Sequence, residues 1–305
     1  MPACVTTRQH PIETLQPAQL TLENPRGSIA ISASQRLLAE SVGANESAIS
    51  LPVDSLIANA LFSLQHLLQD APGYENTRFF VHIALGDEPA ATSDFDMTVW
   101  LNSLQIRNTY YGQQYSFFEW EAYLYVHYAA NWLLVDRSGA VTDNHTDRDL
   151  MIWPSGIRAD KSAAVTNLPA VKDAWWDLGI AAAQKYVARI APQWQTGARH
   201  IYMVNKFPEL SMLAHAAMQN NAYARAFDIW ENMMLSCRKR GQKRTKSQIA
   251  SNMAVACELQ NNLDDAIHWA QRSQNLNHTS RTANYIILLR ERKLQQEKLD
   301  RQIEN

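Results

Sequence analysis

A short polar stretch of the chain alternates acidic residues with a histidine. The residues at every second position are Asp143, His145, Asp147 and Asp149. Alternating oxygen ligands are typical of calcium loops, but an EF-hand loop also requires glycine at position six and glutamate at position twelve. Counted from Asp143, those positions hold Arg148 and Pro154. We therefore predict a polar hairpin loop, with weak binding of a divalent cation left open.

The first half of the chain also carries candidate groups for acid–base catalysis. They are Asp94, Asp96, His127 and His145. A catalytic base needs an orienting partner within hydrogen-bond reach, and the sequence does not identify such a partner. The chain contains no G-x-S-x-G and no H-E-x-x-H, and its 10 glycines form no phosphate-binding loop. We predict no catalytic, cofactor-binding or metal-binding residue, and we keep an enzyme with its site around these four residues as an alternative.

The largest cluster of charge is the segment CRKRGQKRTK. Its six basic residues are Arg238, Lys239, Arg240, Lys243, Arg244 and Lys246. Such a cluster can meet the phosphates of nucleic acid or of lipid headgroups. It holds no aromatic residue to stack on bases, and the whole chain has a net charge of -2. We expect no nucleic-acid partner and predict a solvated loop available for partner contact, with phosphate binding as an alternative.

Tryptophans provide the other candidate contacts. Trp230 and Trp269 lie in the helical last third of the chain. If they face a groove, they are natural anchors for a peptide. The predicted partner is therefore a protein or peptide of unknown identity.

A repeat predicts the fold around these tryptophans. Residues 210–234 align with residues 250–274 at an offset of 40 residues, which places Ala226 on Ala266. Small residues let paired helices approach closely, and the dipeptides at 220–221 and 260–261 suit tight turns with left-handed backbone. This is the tetratricopeptide pattern, whose common period is 34 residues.

A final amphipathic helix over residues 283–303 is expected to cap the stack. Its predicted inward residues are Ile286, Leu289 and Leu294. Residues 237–246 are expected to form the insert between the two repeat units. Residues 171–190 are a candidate for a further divergent unit, because Trp175, Leu178 and Gly179 are spaced as in a repeat.

The first half of the chain predicts an α+β domain with an antiparallel sheet. A period of two at Ile29 and Ile31 favours a strand, and apolar residues at helical spacing follow Asp54. Strand-like stretches follow at residues 79–83, 95–107 and 121–136 without helices between them, which favours antiparallel pairing. The predicted organisation is an extended leader over 1–27, an α+β domain over 28–160 and a helical domain over 165–305.

The order of these parts resembles a family of bacterial envelope lipoproteins to which no activity is assigned. The residues that carry the resemblance are the strand at 17–22 (PAQLTL) and the stretches at 175–194 and 251–258. Members are similar in having a leader that starts at a cysteine, an α+β middle and tetratricopeptide-like helices at the end. The resemblance implies that Cys4 is a lipid attachment site.

The resemblance departs at the leader, because only three residues precede Cys4, too few for a signal peptide. We expect a hydrophobic segment upstream of Met1. The sequence thus predicts a non-enzymatic binding scaffold that is lipid-anchored or periplasmic, with a cytoplasmic location as the alternative.

Overall fold

The computed structural model of the chain describes residues 7–20, 22, 27–34, 53–84, 94–237 and 241–304. The chain divides into two compact units. The sheet unit comprises residues 18–192, and the helical unit combines residues 1–17 with residues 193–304. This division differs from the predicted domains at 28–160 and 165–305. Two segments, described below, lie in a different unit from the one predicted.

The described elements follow one another in this order: β1 (Thr7–Gln16), β2 (Ser28–Ser34), α1 (Val53–Gln69), β3 (Arg78–Ala84), β4 (Met97–Ser116), β5 (Glu119–Asp136), β6 (Val141–Pro154), α2 (Lys161–Thr166), α3 (Val171–Ile190), β7 (Gln193–Tyr202), α4 (Pro208–Gln219), α5 (Tyr223–Ser236), α6 (Lys243–Leu259), α7 (Leu263–Leu276) and α8 (Ser280–Glu304). An α+β region therefore precedes a helical region, as the sequence predicts.

The five-stranded sheet of the sheet unit is mixed, which corrects the predicted antiparallel sheet. Its strand order is β3-β2-β4-β5-β6. Strand β2 runs parallel to both β3 and β4, while β4, β5 and β6 pair antiparallel. The connection from β2 to β3 contains helix α1, and a helix in the crossover is what lets two neighbouring strands run parallel.

The alternating acidic stretch lies within strand β6, so the predicted polar loop is wrong. Asp143, Asp147 and Asp149 all belong to the pairing with β5, opposite Leu134, Ala130 and Tyr128. Successive side chains of a strand point to opposite faces. The alternation of DNHTDRD is therefore the period of a strand, and the hairpin turn occupies residues 137–140 instead.

Helix α3 packs in the core of the sheet unit, which is the first reason for the different boundary. Tyr186 stacks on Trp132 of β5 with ring centroids 5.2 Å apart. Where α3 meets α1, a Cβ on Gly179 would come within 3.2 Å of Leu56, so the close approach favours glycine. The repeat-like spacing around Trp175 therefore serves packing against the sheet and α1, not a further helical repeat.

Strands β1 and β7 form a separate antiparallel ribbon, which is the second reason. Thr7 pairs with Tyr202 and Gln16 with Gln193. Part of the predicted leader is thus a strand of the helical unit, although it lies far from that unit in sequence.

The two predicted helix pairs, α4–α5 and α6–α7, are present and close in the same way. Asn221 and Asn261 adopt left-handed backbone, with φ of 56° and 58°. In each turn the next amide donates back to a carbonyl five residues earlier: Ala222 to Ala217 and Asn262 to Cys257, both at 2.9 Å. This is the Schellman pattern of helix ends, and it confirms the predicted turns.

The small residues of the two pairs are fully enclosed. They are Ala214, Ala226, Ala254 and Ala266, each 0% exposed.

In the last helix, α8, Ile286 and Leu289 are buried as predicted, but Leu294 is 65% exposed. Its inward placement was wrong, because α8 turns that position to solvent. None of the helices that the structure describes combines the length and apolarity needed to cross a bilayer.

Candidate functional site

The four groups proposed for catalysis do not converge. His127 points to one face of the sheet and His145 to the opposite face, because His145 pairs with Trp132, which lies five residues from His127 along β5 and therefore on the other face. Asp96 accepts hydrogen bonds from the backbone and hydroxyl of Ser28, at 2.7 and 2.8 Å. These bonds lower the pKa of Asp96.

The acidic residues of β6 are paired with cations of α3. Arg189 donates two hydrogen bonds to Asp143, at 2.8 and 2.9 Å, and Lys185 pairs with Asp149. The hydrogen bond from Lys185 lowers the pKa of Asp149. Within the described ranges no three His, Cys, Asp or Glu residues are grouped to hold a metal ion.

The most enclosed ionic network lies in the helical unit, around Glu258. Its side chain is 0% exposed. Arg199 of β7 donates to both carboxylate oxygens, at 2.7 and 2.8 Å. Arg292 and Tyr285 of α8 each donate to it at 2.7 Å. The carboxylate therefore ties β7, α6 and α8 together, and its hydrogen-bonding capacity is used by the protein itself.

Strand β7 also fixes the middle of helix α6. The side-chain amide of Asn252 donates to the carbonyl of Tyr202 and accepts from its amide, both at 2.8 Å. Every residue of α6 from Ile249 to Glu258 is buried. This part of α6 leaves no surface for a partner.

The two candidate tryptophans have different surroundings. Trp230 is 1% exposed within the core of the helical unit, so it cannot contact a partner there and is a packing residue. Trp269 is only half-buried. Its ring meets Phe227 of α5 edge to face, with centroids 5.9 Å apart, and the Arg272 guanidinium lies 4.8 Å from its centroid.

We call this surface the Trp269 surface; its residues are Phe227, His268, Trp269 and Arg272. It spans α5 and α7, one helix from each pair. A partly exposed tryptophan with an arginine over its ring places together two residue types that often dominate protein interfaces. The sequence pointed to Trp269 but not to Phe227, which lies in the other helix pair and is placed beside Trp269 by the edge-to-face contact of the two rings.

The basic segment falls partly outside the described residues. Arg238, Lys239 and Arg240 lie there, as does Cys4. Lys243, Arg244 and Lys246 form the start of α6 and not a loop, with no acidic residue in the first turn. Cations at a helix N-terminus oppose the helix dipole, so these three side chains do not stabilise the helix that carries them.

One exposed surface of the sheet is not predicted by the sequence. On the face opposite α3, strands β4 and β5 place a set that we call the tyrosine face: Arg107, Thr109, Tyr111, Tyr115, Tyr123, Tyr125 and His127. Tyr123 and Tyr115 donate hydrogen bonds to Glu121, at 2.5 and 3.0 Å. The bond to Glu121 raises the pKa of Tyr123. The signal was present as the alternation of Tyr123, Tyr125 and His127, but sequence alone does not say which face is exposed.

Comparison with known proteins finds a family match to part of the chain. A family profile described as a domain of unknown function (DUF6340) matches residues 212–291, which include most of α4, all of α5, α6 and α7, and the first half of α8. No curated protein matches the chain.

Among solved structures, the chain is similar to a neuraminyllactose-binding hemagglutinin homolog from Helicobacter pylori. The identity is 8%, the TM-score is 0.30, and the match covers 58% of this chain and 91% of that one.

Proposed function

We propose that this protein is a non-catalytic scaffold that binds another protein through tetratricopeptide-like helix pairs. The repeat assignment is supported by the equivalent turns at Asn221 and Asn261, 40 residues apart, with the same backbone conformation. It is also supported by the enclosed alanines at matching positions, Ala214 with Ala254 and Ala226 with Ala266. Residues at a helix crossing must be small for the helices to pack closely.

The observation that carries the proposal is the Trp269 surface. Burying the exposed part of the Trp269 ring would remove apolar area from water, and Arg272 is already held over the ring. The partner is expected to supply an apolar pocket for Trp269 and an acceptor for the guanidinium of Arg272. Trp230, the tryptophan of the preceding pair, has no such role because it is enclosed.

The buried ionic groups fit a structural role. Glu258 and Asp143 each accept a bidentate pair of hydrogen bonds from an arginine. Arginine–carboxylate pairs of this geometry hold both groups in fixed positions. In our proposal they tie elements together and leave binding to the surface residues.

The proposed location is the bacterial cell envelope, with lipid attached at Cys4. Cys4 lies outside the described residues, so the support is the leader pattern in the sequence. Mass spectrometry of the membrane fraction, with wild type and Cys4→Ser expressed from the native genomic locus, tests this part. Equal, lipid-free protein in both strains would contradict it.

A photo-crosslinking experiment on the full-length chain tests the binding surface. A benzoylphenylalanine at position 268, beside Trp269, is compared with one at position 235, where Leu235 is 70% exposed on α5. We expect a discrete crosslinked protein from position 268 only. The product should vanish when Trp269→Ala is added and persist when the exposed Leu294→Ala is added. The same product from both positions, or its persistence with Trp269→Ala, would remove the Trp269 surface as the binding site.

A further inference from the structure

The tyrosine face is one continuous patch on the exposed side of the sheet. Its cross-strand pairs are Arg107 with His127, Thr109 with Tyr125, and Tyr111 with Tyr123. Residues two apart on a strand point to the same face and lie roughly 7 Å apart, and neighbouring strands lie about 4.8 Å apart. Strand β6 adds Arg148, which is paired with Ala129 on the same face.

The cations of this face lack protein counter-charges. Arg107 and Arg148 are exposed and have no ion pair with any residue that the structure describes. By contrast, Arg189, Arg199 and Arg292 are all paired with carboxylates. Arg107, Thr109 and His127 line a depression of about 520 Å³. A concave site with the unpaired guanidinium group of Arg107 at its edge is complementary to an anionic group.

The tyrosines beside this depression form an aromatic platform. Tyr123 lies between Tyr111 and Tyr125, with ring centroids 6.3 and 6.1 Å away. Tyr111 and Tyr115 are 54% and 50% exposed. The platform can cover an apolar ring face, and a tyrosine keeps its hydroxyl available for hydrogen bonds.

A carboxylate on the same platform favours ligands that donate hydrogen bonds. Glu121 accepts hydrogen bonds from Tyr115 and Tyr123 on one of its oxygens. An ionised carboxylate only accepts hydrogen bonds and has about four acceptor positions, so Glu121 can also accept from a ligand. Sugar hydroxyls are such donors.

We propose that the tyrosine face binds a carboxylated glycan. Pyranose rings stack on Tyr111, Tyr123 and Tyr125. Their hydroxyls donate to Glu121, and a sugar carboxylate pairs with Arg107. This inference is independent of the protein-binding function, because it concerns the sheet unit and uses no residue of the Trp269 surface.

Calorimetric titration of the full-length protein tests the proposal, with oligogalacturonate and hyaluronan oligosaccharides as probes. We expect saturable binding of at least one of them. Methyl esterification of oligogalacturonate removes the charge of its carboxylates and should weaken the binding of that probe about tenfold. The variants Arg107→Gln and Tyr111→Ala should each weaken binding about fivefold to tenfold, consistent with one charged contact or one stacked ring.

Phe118→Ala is the matched control, because Phe118 is a 73% exposed aromatic at the tip of the same hairpin. It should bind as wild type. Absence of binding by both glycans at millimolar concentration would overturn the proposal. Equal affinity for the methyl ester would also overturn it, as would tighter binding of oligodeoxythymidylate in competition. A crosslink at the Trp269 surface is unaffected by any of these outcomes, so the two proposals fail separately.

Discussion

Among the residues that the structure describes, each unit buries one carboxylate against arginine, but the two sites differ in enclosure. Glu258 in the helical unit is fully enclosed, and its arginine partners Arg199 and Arg292 are 14% and 16% exposed. Asp143 in the sheet unit is 7% exposed, and its partner Arg189 is 22% exposed. The first site joins three elements, whereas the second joins the edge strand β6 to α3.

The difference shows how far each carboxylate depends on its partners. Burial acts to raise the pKa of Glu258, but the hydrogen bonds and charge of Arg199, with Tyr285 and Arg292, outweigh it and lower that pKa. Water still reaches Arg189 beside Asp143. Losing a partner should therefore cost more at Glu258 than at Asp143, because a buried unpaired ion has no solvent to replace the lost contact.

The largest expected effect follows from Glu258→Gln. The substitution keeps the shape of the side chain but leaves Arg199 and Arg292 without a counter-charge. Breaking a buried pair in this way costs roughly 3–5 kcal/mol. Urea unfolding should show that loss, while Glu291→Gln, a change at an exposed carboxylate of α8, should leave the midpoint within experimental error. A loss below about 1 kcal/mol would contradict the enclosed network.

The pH dependence of stability is a second test of the enclosed carboxylate in the helical unit. The folded-state pKa of Glu258 is lowered, so the unfolded chain binds its proton first as the pH falls. The stabilisation is present above the unfolded pKa of about 4.3 and is lost as the pH drops through the folded value. Unfolding free energy should therefore fall more steeply below pH 4.3 in wild type than in Glu258→Gln. Parallel slopes would contradict the lowered pKa.

A smaller effect is expected from Asp143→Asn. The change removes the charged partner of Arg189, whose guanidinium is partly solvated, and should cost about 2 kcal/mol. Asp149→Asn on the same strand is the control, since Asp149 is 47% exposed and pairs with an exposed lysine. Such a pair contributes about 1 kcal/mol or less. Equal losses of unfolding free energy for both variants would show that the burial of Asp143 does not strengthen its contribution to stability.

The two units also differ in how much of each the sequence predicts. The helix pairs are predictable because the residues that define each pair are close in sequence: Ala214 and Ala226 belong to one hairpin, and the turn residue Asn221 lies between them. The ribbon was not predicted because β1 pairs with β7 across nearly two hundred residues. Spacing within one segment carries no information about a partner so far away.

The same limit explains the errors in the sheet unit and at the sites. The spacing around Trp175 suits both a helical repeat and a helix packed on a sheet, and only the sheet decides between them. The alternation in β6 suits a loop or a strand. Trp230 and Trp269 are both candidate anchors in the sequence, yet packing encloses the first and leaves the second partly exposed. The tyrosine face required knowledge of which side of β5 is covered.

The smallest effect concerns the turns that make the two helix pairs equivalent. Asn221 and Asn261 both have positive φ, a conformation that asparagine tolerates and that costs other L-residues roughly 1–2 kcal/mol. Alanine at either position should cost about 1 kcal/mol in urea unfolding. Glycine, which adopts positive φ without strain, should change stability by less than about 0.5 kcal/mol. If alanine were neutral at one turn and costly at the other, the two helix pairs would not be equivalent repeats, and the case for a repeating scaffold would lose its main support.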